Sequence, residues 1–217
     1  MSSTVSLQEF PAFEQVVNVR LTKATDELAA EFAGIYDRDR VAAIMHESVE
    51  QLSEGEVAAF VPVLAQRFAR ERLRALAQAD GHLEKPAPEI LFVSLSGGGR
   101  AQIGAALLER RLGAAAHAHT AGSERGGTLD PNVVTAMAEI GIDLSGEFTK
   151  PLSLEVMAAA DIVVTMGRSV GAVGIPPNTR HVDWRVGDPS GADLDEVRRV
   201  CDDIGRRVEA LAEELKI

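Results

Sequence analysis

Cysteine is almost absent from this chain: Cys201 is the only one in 217 residues, which excludes an internal disulfide and any cysteine-clustered metal site. It falls on the stripe Leu194, Val197, Val200, Ile204, Val208, Leu211 and Leu215, so it reads as a small core residue of an amphipathic helix. Positive charge is also scarce. Lys and Arg total 22 against 33 for Asp and Glu, and the net charge of −11 disfavours nucleic acid and acidic membrane surfaces as partners while leaving room for a local positive pocket. No run approaches the roughly 20 apolar residues that a membrane span needs. The start, Met1 to Leu7, lacks the basic segment and apolar core of a signal peptide, so the expected location is the cytoplasm. No internal repeat or low-complexity run is visible.

What is present is ordinary globular composition, 46% hydrophobic, enough for one or two domains with a proper core. Residues 1 to about 13 are polar and aperiodic and are expected to fray. Leu21, Leu28, Phe32 and Ile35 mark a helix from about Val17 to Asp37, and Val41, Ile44, Met45, Val49 and Leu52 mark a second from about Asp39. Ser53-Glu54-Gly55-Glu56 resembles a capping box, but Pro62 would kink a helix begun there. The third helix is therefore expected to start near Val61 and to run through Leu64, Phe68, Leu73 and Leu76. Three such helices, residues 14–80, form a thin unit that buries little by itself and should dock or dimerise. Arg67, Arg70 and Arg74 share one side of the third, either as a solvated face or facing a partner copy.

Residues 81–88, with Pro86 and Pro88, read as a short stiff linker. Beyond it, over 89–217, strands near 90–93, 115–120, 161–166 and 180–184 alternate with helices near 101–112, 130–140, 153–159 and 192–215. That alternation predicts an α/β domain: a four-stranded parallel sheet with helices on both faces.

The chain is organised around Glu89 to Gly104, EILFVSLSGGGRAQIG. Ile90 to Val93 are apolar without alternation, which suits a central strand buried on both faces. Gly97, Gly98 and Gly99 then let the backbone turn several N–H groups inward at the start of a helix, with Ser96 beside them and Arg100 supplying a planar fork for two oxygens. The chemistry this suits is an anion nest for phosphate, arsenate, sulfate or a carboxylate. A glycine-rich turn with a surface arginine is the plain alternative.

The frame of Ser94, five residues and Arg100 between a strand and a helix resembles the phosphate loop of low-molecular-weight protein tyrosine phosphatases and of the thioredoxin-coupled arsenate reductases that share their fold. His119-Thr120-Ala121-Gly122-Ser123, Ala136 to Ser145, Ala160 to Gly167, and Val182-Asp183-Trp184 with Asp188-Pro189 are similar to later segments of that family, in the same order. The resemblance implies the fold and makes Asp188 the match for the general acid. Arg67 to Leu73 resembles the last helix of a three-helix dimerisation domain found in related arsenate-reductase-like proteins, which implies a homodimer.

The departures bear on activity. Where the family carries its cysteine nucleophile this chain has Ser94, where it usually has asparagine there is Gly97, and where a hydroxyl follows the arginine there is Ala101. The segment that bears the redox cysteine pair continues here as Arg168, Ser169, Val170, Gly171. A nest of N–H donors can make a cysteine thiolate at neutral pH, but a serine hydroxyl stays protonated there, and serine forms no disulfide. Two functions are compatible with this. One is a dimeric oxyanion-binding protein without reductase activity. The other is a repurposed enzyme acting on an anionic small metabolite through Arg100, Asp188 and Ser94. No cofactor or metal is expected. His117 and His119 face one way on a strand, as two ligands would, but no Cys, Asp or Glu accompanies them at ligand spacing. Trp184 fits the cleft mouth and the core equally well, and Arg168 either adds a second cation or faces water.

Overall fold

The computed structural model describes residues 11–52, 60–124, 127–167 and 174–216. The capping box expected at residues 53–56, the Arg168-Ser169 pair and the first ten residues lie outside them. Three helices come first: α1 (Pro11–Glu31), α2 (Arg38–Leu52) and α3 (Val61–Ala79). The first begins earlier than the periodicity suggests, with a proline in its opening position, where a missing N–H does no harm. It also ends earlier, because Gly34 takes a φ of +85° in the turn that follows. The chain divides into two compact units between Leu73 and Arg74, inside α3 and ahead of the proline-containing stretch 81–88.

In the first unit Leu28, Phe32, Val41, Ile44, Met45 and Phe68 are buried. Arg72 is buried with them, and its guanidinium donates to the Ile44 carbonyl, Ser48 Oγ and Glu47 at 3.3, 3.1 and 2.6 Å. Of the three arginines expected on one helix side, Arg70 pairs with Glu31 of the same chain at 2.8 Å. At the start of α3, Phe60 and Val63 are exposed, as are Val16 and Val19 on α1.

The second unit is a four-stranded parallel sheet of β1 (Glu89–Ser94), β2 (His117–Gly122), β3 (Ile162–Met166) and β4 (Arg180–Trp184), in the order β2-β1-β3-β4. Helices α4 (Arg100–Leu112), α5 (Pro131–Glu139), α6 (Leu154–Ala159) and α7 (Leu194–Leu215) connect or follow the strands. β1 is central, and Ile90 to Val93 have no exposed surface at all, as an unbroken apolar run requires. Ile90 and Phe92 face a core shared with Met137, Ile204 and Val208, whereas Leu91 and Val93 face Val156, Met157 and Ala75, so both faces are covered. Cys201 lies in the first of these cores with its thiol against Met137 Sδ at 3.9 Å, and burial, followed by the charge of Asp202, pushes its pKa up to about 11. Trp184 is buried too, 5.8 Å from the Phe92 ring, and so belongs to the core and not to the cleft mouth. Among the described residues no helix is long and apolar enough to cross a membrane.

Candidate functional site

The β1–α4 turn, at the carboxyl ends of the strands where an open parallel sheet leaves its crevice, holds the chemistry. Five of its backbone carbonyls, those of Ser94, Leu95, Gly97, Gly98 and Gly99, accept from residues beyond the turn. Ser94 O accepts from Ser123 N, Leu95 O from Glu124 N, Gly98 O from Asp130 N and Gly99 O from Ile103 N, at 2.9 to 3.1 Å. Gly97 O accepts from Gln102 Nε2 at 3.2 Å, and the same amide also reaches Thr120 Oγ1 and the Phe148 carbonyl. In a trans peptide the N–H of the next residue points opposite to the carbonyl, and no peptide bond here is cis. The N–H groups of Leu95, Ser96, Gly98, Gly99 and Arg100 are thereby turned away from the supporting walls, that of Gly98 donating to Ser96 Oγ at 3.4 Å. Gly99, which precedes α4, gives that helix no side-chain cap, so the positive end of the helix opens onto the loop.

Two of the three loop glycines are required by space. Gly97 has a φ of +70°, and a Cβ there would sit 2.8 Å from Gly122 N; a Cβ on Gly98 would lie 1.9 Å from the Thr128 carbonyl. The segment around Thr128 therefore closes directly over the loop, and Pro189 packs against Gly99 from the other side. Together these segments wall a cleft of about 330 Å³ that includes Ser94, Ser96, Arg100, Thr128, Asp130 and Asp188.

Inside the cleft Ser94 is 2% exposed, and its Oγ has no hydrogen-bond partner among the described residues. Arg100 is buried, its guanidinium lying close over Gly167, whose φ is +106°. The Asp188 carboxylate meets it, Oδ2 to Nη2 at 3.0 Å, and Oδ1 accepts from Ser190 N at 3.1 Å. Asp130 caps α5 by accepting from the N–H groups of Asn132 and Val133. The structure thus brings Ser94, Ser96, Gly98, Gly99, Arg100 and Asp188 around one cleft, and Gly97 shapes its wall.

A second polar constellation lies at the opposite end of β1. Parallel register sets Glu89 beside His117, and the two imidazoles expected to share a strand face both turn to the Glu89 carboxylate: His117 Nδ1 to Oε1 at 3.0 Å and His119 Nε2 to Oε2 at 2.7 Å. Gln78 Nε2 donates to Oε1 at 2.7 Å. Burial pushes the Glu89 carboxyl up, but the hydrogen bonds from His119, His117 and Gln78 outweigh it and hold its pKa at about 2. Among the described residues no group of three His, Cys, Asp or Glu side chains is placed to hold a metal. The sequence reading missed Glu89 because it looked for a partner at short spacing, while the carboxylate comes from the neighbouring strand.

Comparison with known proteins agrees with this architecture. A family described as Protein-tyrosine-phosphatase-like, N-terminal domain, matches residues 21–77, and Low molecular weight phosphotyrosine protein phosphatase matches residues 89–173. An arsenate reductase of Brevibacillus brevis is 33% identical over 126 residues, which cover 57% of this chain and 93% of that protein. A thioredoxin-dependent arsenate reductase of Corynebacterium glutamicum superposes with a TM-score of 0.81 at 30% identity, over 90% of this chain and 96% of its own. An arsenate reductase solved in its phosphate-binding state gives a TM-score of 0.54 at 25% identity, over 59% of this chain and 98% of its own. The chain belongs to the family of arsenate reductases and low-molecular-weight phosphotyrosine phosphatases.

Proposed function

We propose that the chain is a dimeric protein that binds a small tetrahedral oxyanion, phosphate or arsenate, in the cleft between β1 and α4, and that it carries out no cysteine-based reduction or dephosphorylation. The observation that carries this reading is the Ser94 hydroxyl, which has no hydrogen-bond partner among the described residues and is buried in the same cleft as Arg100, in a loop whose Ser94, Leu95, Gly97, Gly98 and Gly99 carbonyls are bonded to residues beyond the turn. A buried hydroxyl, a buried guanidinium that places one donor on Asp188, and several inward N–H groups form a set of donors suited to an acceptor-rich ligand. A relative solved with phosphate bound supports the same ligand class.

Ser94 stands where the family resemblance sets the nucleophilic cysteine. A hydroxyl there donates to a bound anion and does not repel it as a thiolate would. Cys201 offers no substitute, since its thiol is buried in the core with a raised pKa. In this reading residues 89–217 bind the anion and residues 14–80 mediate self-association, for which the exposed Phe60, Val63, Val16 and Val19 supply apolar surface. A second reading, turnover of an anionic metabolite, is favoured by one observation: Asp188 is half exposed at the cleft while touching Arg100, as a proton carrier would be.

The test is a thermal-shift and calorimetric series with phosphate and arsenate, run beside assays of thioredoxin-coupled arsenate reduction and aryl phosphate hydrolysis. Binding without turnover is expected, together with light scattering that gives twice the chain mass. Reduction of arsenate by the wild-type chain, or the absence of any anion effect, overturns the reading.

A further inference from the structure

Asp188 is an unusual neighbour for an anion. Its carboxylate sits on Arg100, the one arginine among the described residues that line the cleft, and Asp130 adds a second carboxylate to the same walls. A tetrahedral anion seated on the Arg100 guanidinium brings its oxygens within about 4 Å of Asp188, where two bare anions repel and an O–H donor finds an acceptor. We propose that Asp188 makes the cleft selective for oxyanions that keep a proton, hydrogen phosphate and hydrogen arsenate, over fully deprotonated dianions such as sulfate. This rests on the oxyanion reading given above.

The geometry supports an acceptor held in place for this purpose. Asp188 Oδ1 is fixed by the Ser190 N–H at 3.1 Å and Oδ2 by Arg100 at 3.0 Å, so the carboxylate is oriented from both sides. A carboxylate has about four lone-pair sites, and two of these bonds leave it free to accept more. The following residue, Pro189, packs against Gly99, which keeps the carboxylate at the loop. The remaining groups, the Ser94 hydroxyl, the Arg100 guanidinium and the loop amides, are donors that treat phosphate and sulfate alike. Asp130 is occupied by the N–H groups of Asn132, Val133 and Gly191, so discrimination falls to Asp188, the carboxylate in contact with the arginine.

The experiment is calorimetric titration of the full chain with inorganic phosphate, sulfate and fluorophosphate at mildly alkaline pH and matched ionic strength. Fluorophosphate has the shape and charge of hydrogen phosphate with fluorine in place of the O–H. The wild type is expected to bind phosphate about tenfold or more tighter than either of the other two, the difference that one charge-assisted hydrogen bond supplies. Asp188→Asn, nearly the same size on a half-exposed side chain, is expected to bring all three anions within about threefold by tightening sulfate and fluorophosphate. Equal wild-type affinities for the three anions, or an unchanged ratio in Asp188→Asn, overturns the selectivity. Failure of every anion to bind either protein overturns the oxyanion reading itself, and is thereby distinguished from loss of selectivity alone.

Discussion

Glu89 and Ser94 are the first and last residues of the same buried strand, and each is 2% exposed, yet their surroundings are opposite. The Glu89 carboxylate accepts from two imidazoles and a glutamine amide, and the Glu89 N–H donates to Asp161 Oδ2 at 2.9 Å. Ser94 Oγ has no partner and faces a cleft with an arginine in it. A buried polar group that is fully bonded stabilises and orients the fold, whereas one left unbonded is destabilising until something enters. One strand thus carries a fully bonded constellation at its amino end and, under the proposed oxyanion reading, a binding constellation at its carboxyl end.

The largest effect that separates the two ends is expected from Glu89→Gln. The carboxyl is held at about 2 instead of its ordinary 4.5, so its ionised form is stabilised in the folded state; that corresponds to about 3 kcal/mol at neutral pH. Because the folded value is the lower one, this stability is present above about pH 5 and is lost as pH falls towards about 2. Urea unfolding of wild type and variant should show a constant gap at neutral pH that closes in acid, with phosphate affinity unchanged. A gap that persists undiminished at low pH removes the electrostatic part of the account.

Next in size is Gly98→Ala. The added methyl meets the Thr128 carbonyl, and overpacking of this kind costs about 1–3 kcal/mol. Unlike the change at Glu89, it should also abolish the thermal shift produced by phosphate, because it displaces the cleft wall.

How much of this was legible in the sequence differs between the two ends. The unbroken run Ile90 to Val93 identifies the central strand, and the three glycines with Arg100 identify the turn, because both signals are contiguous. The resemblance matches Asp188 to the general acid, and its carboxylate meets Arg100 at 3.0 Å. The Glu89 constellation was not legible: it depends on the register of β1 against β2, and its members, Gln78, Glu89, His117 and His119, lie far apart in the chain. Gln102 escaped for a similar reason, since an amide in a helix that reaches three different segments leaves no trace in local periodicity. Trp184 was placed by packing against Phe92, a contact between strands that do not adjoin. Expected strand starts also slipped at β2, where Gly113–Ala115 forms a 3-10 turn and the strand begins at His117.

Arg100→Ala sharpens the binding side of the comparison. It should leave the acid dependence of unfolding as in the wild type and weaken phosphate by roughly tenfold to a hundredfold, the contribution of charge-assisted hydrogen bonds. The smallest effect belongs to Ser94→Ala. Removing a hydroxyl that has no partner should stabilise the anion-free protein by up to about 1 kcal/mol while reducing the further gain from phosphate. A clear loss of stability instead would mean that the hydroxyl is already satisfied and that the two ends of β1 are alike.

The most direct measurement is residue-resolved amide hydrogen exchange with and without saturating phosphate. Slowed exchange at Leu95, Ser96, Gly98, Gly99 and Arg100, with Glu89, His117 and His119 unchanged, is the predicted result. Exchange that is unaffected in the loop, or slowed equally at both ends of the strand, would contradict the assignment of an oxyanion to this cleft.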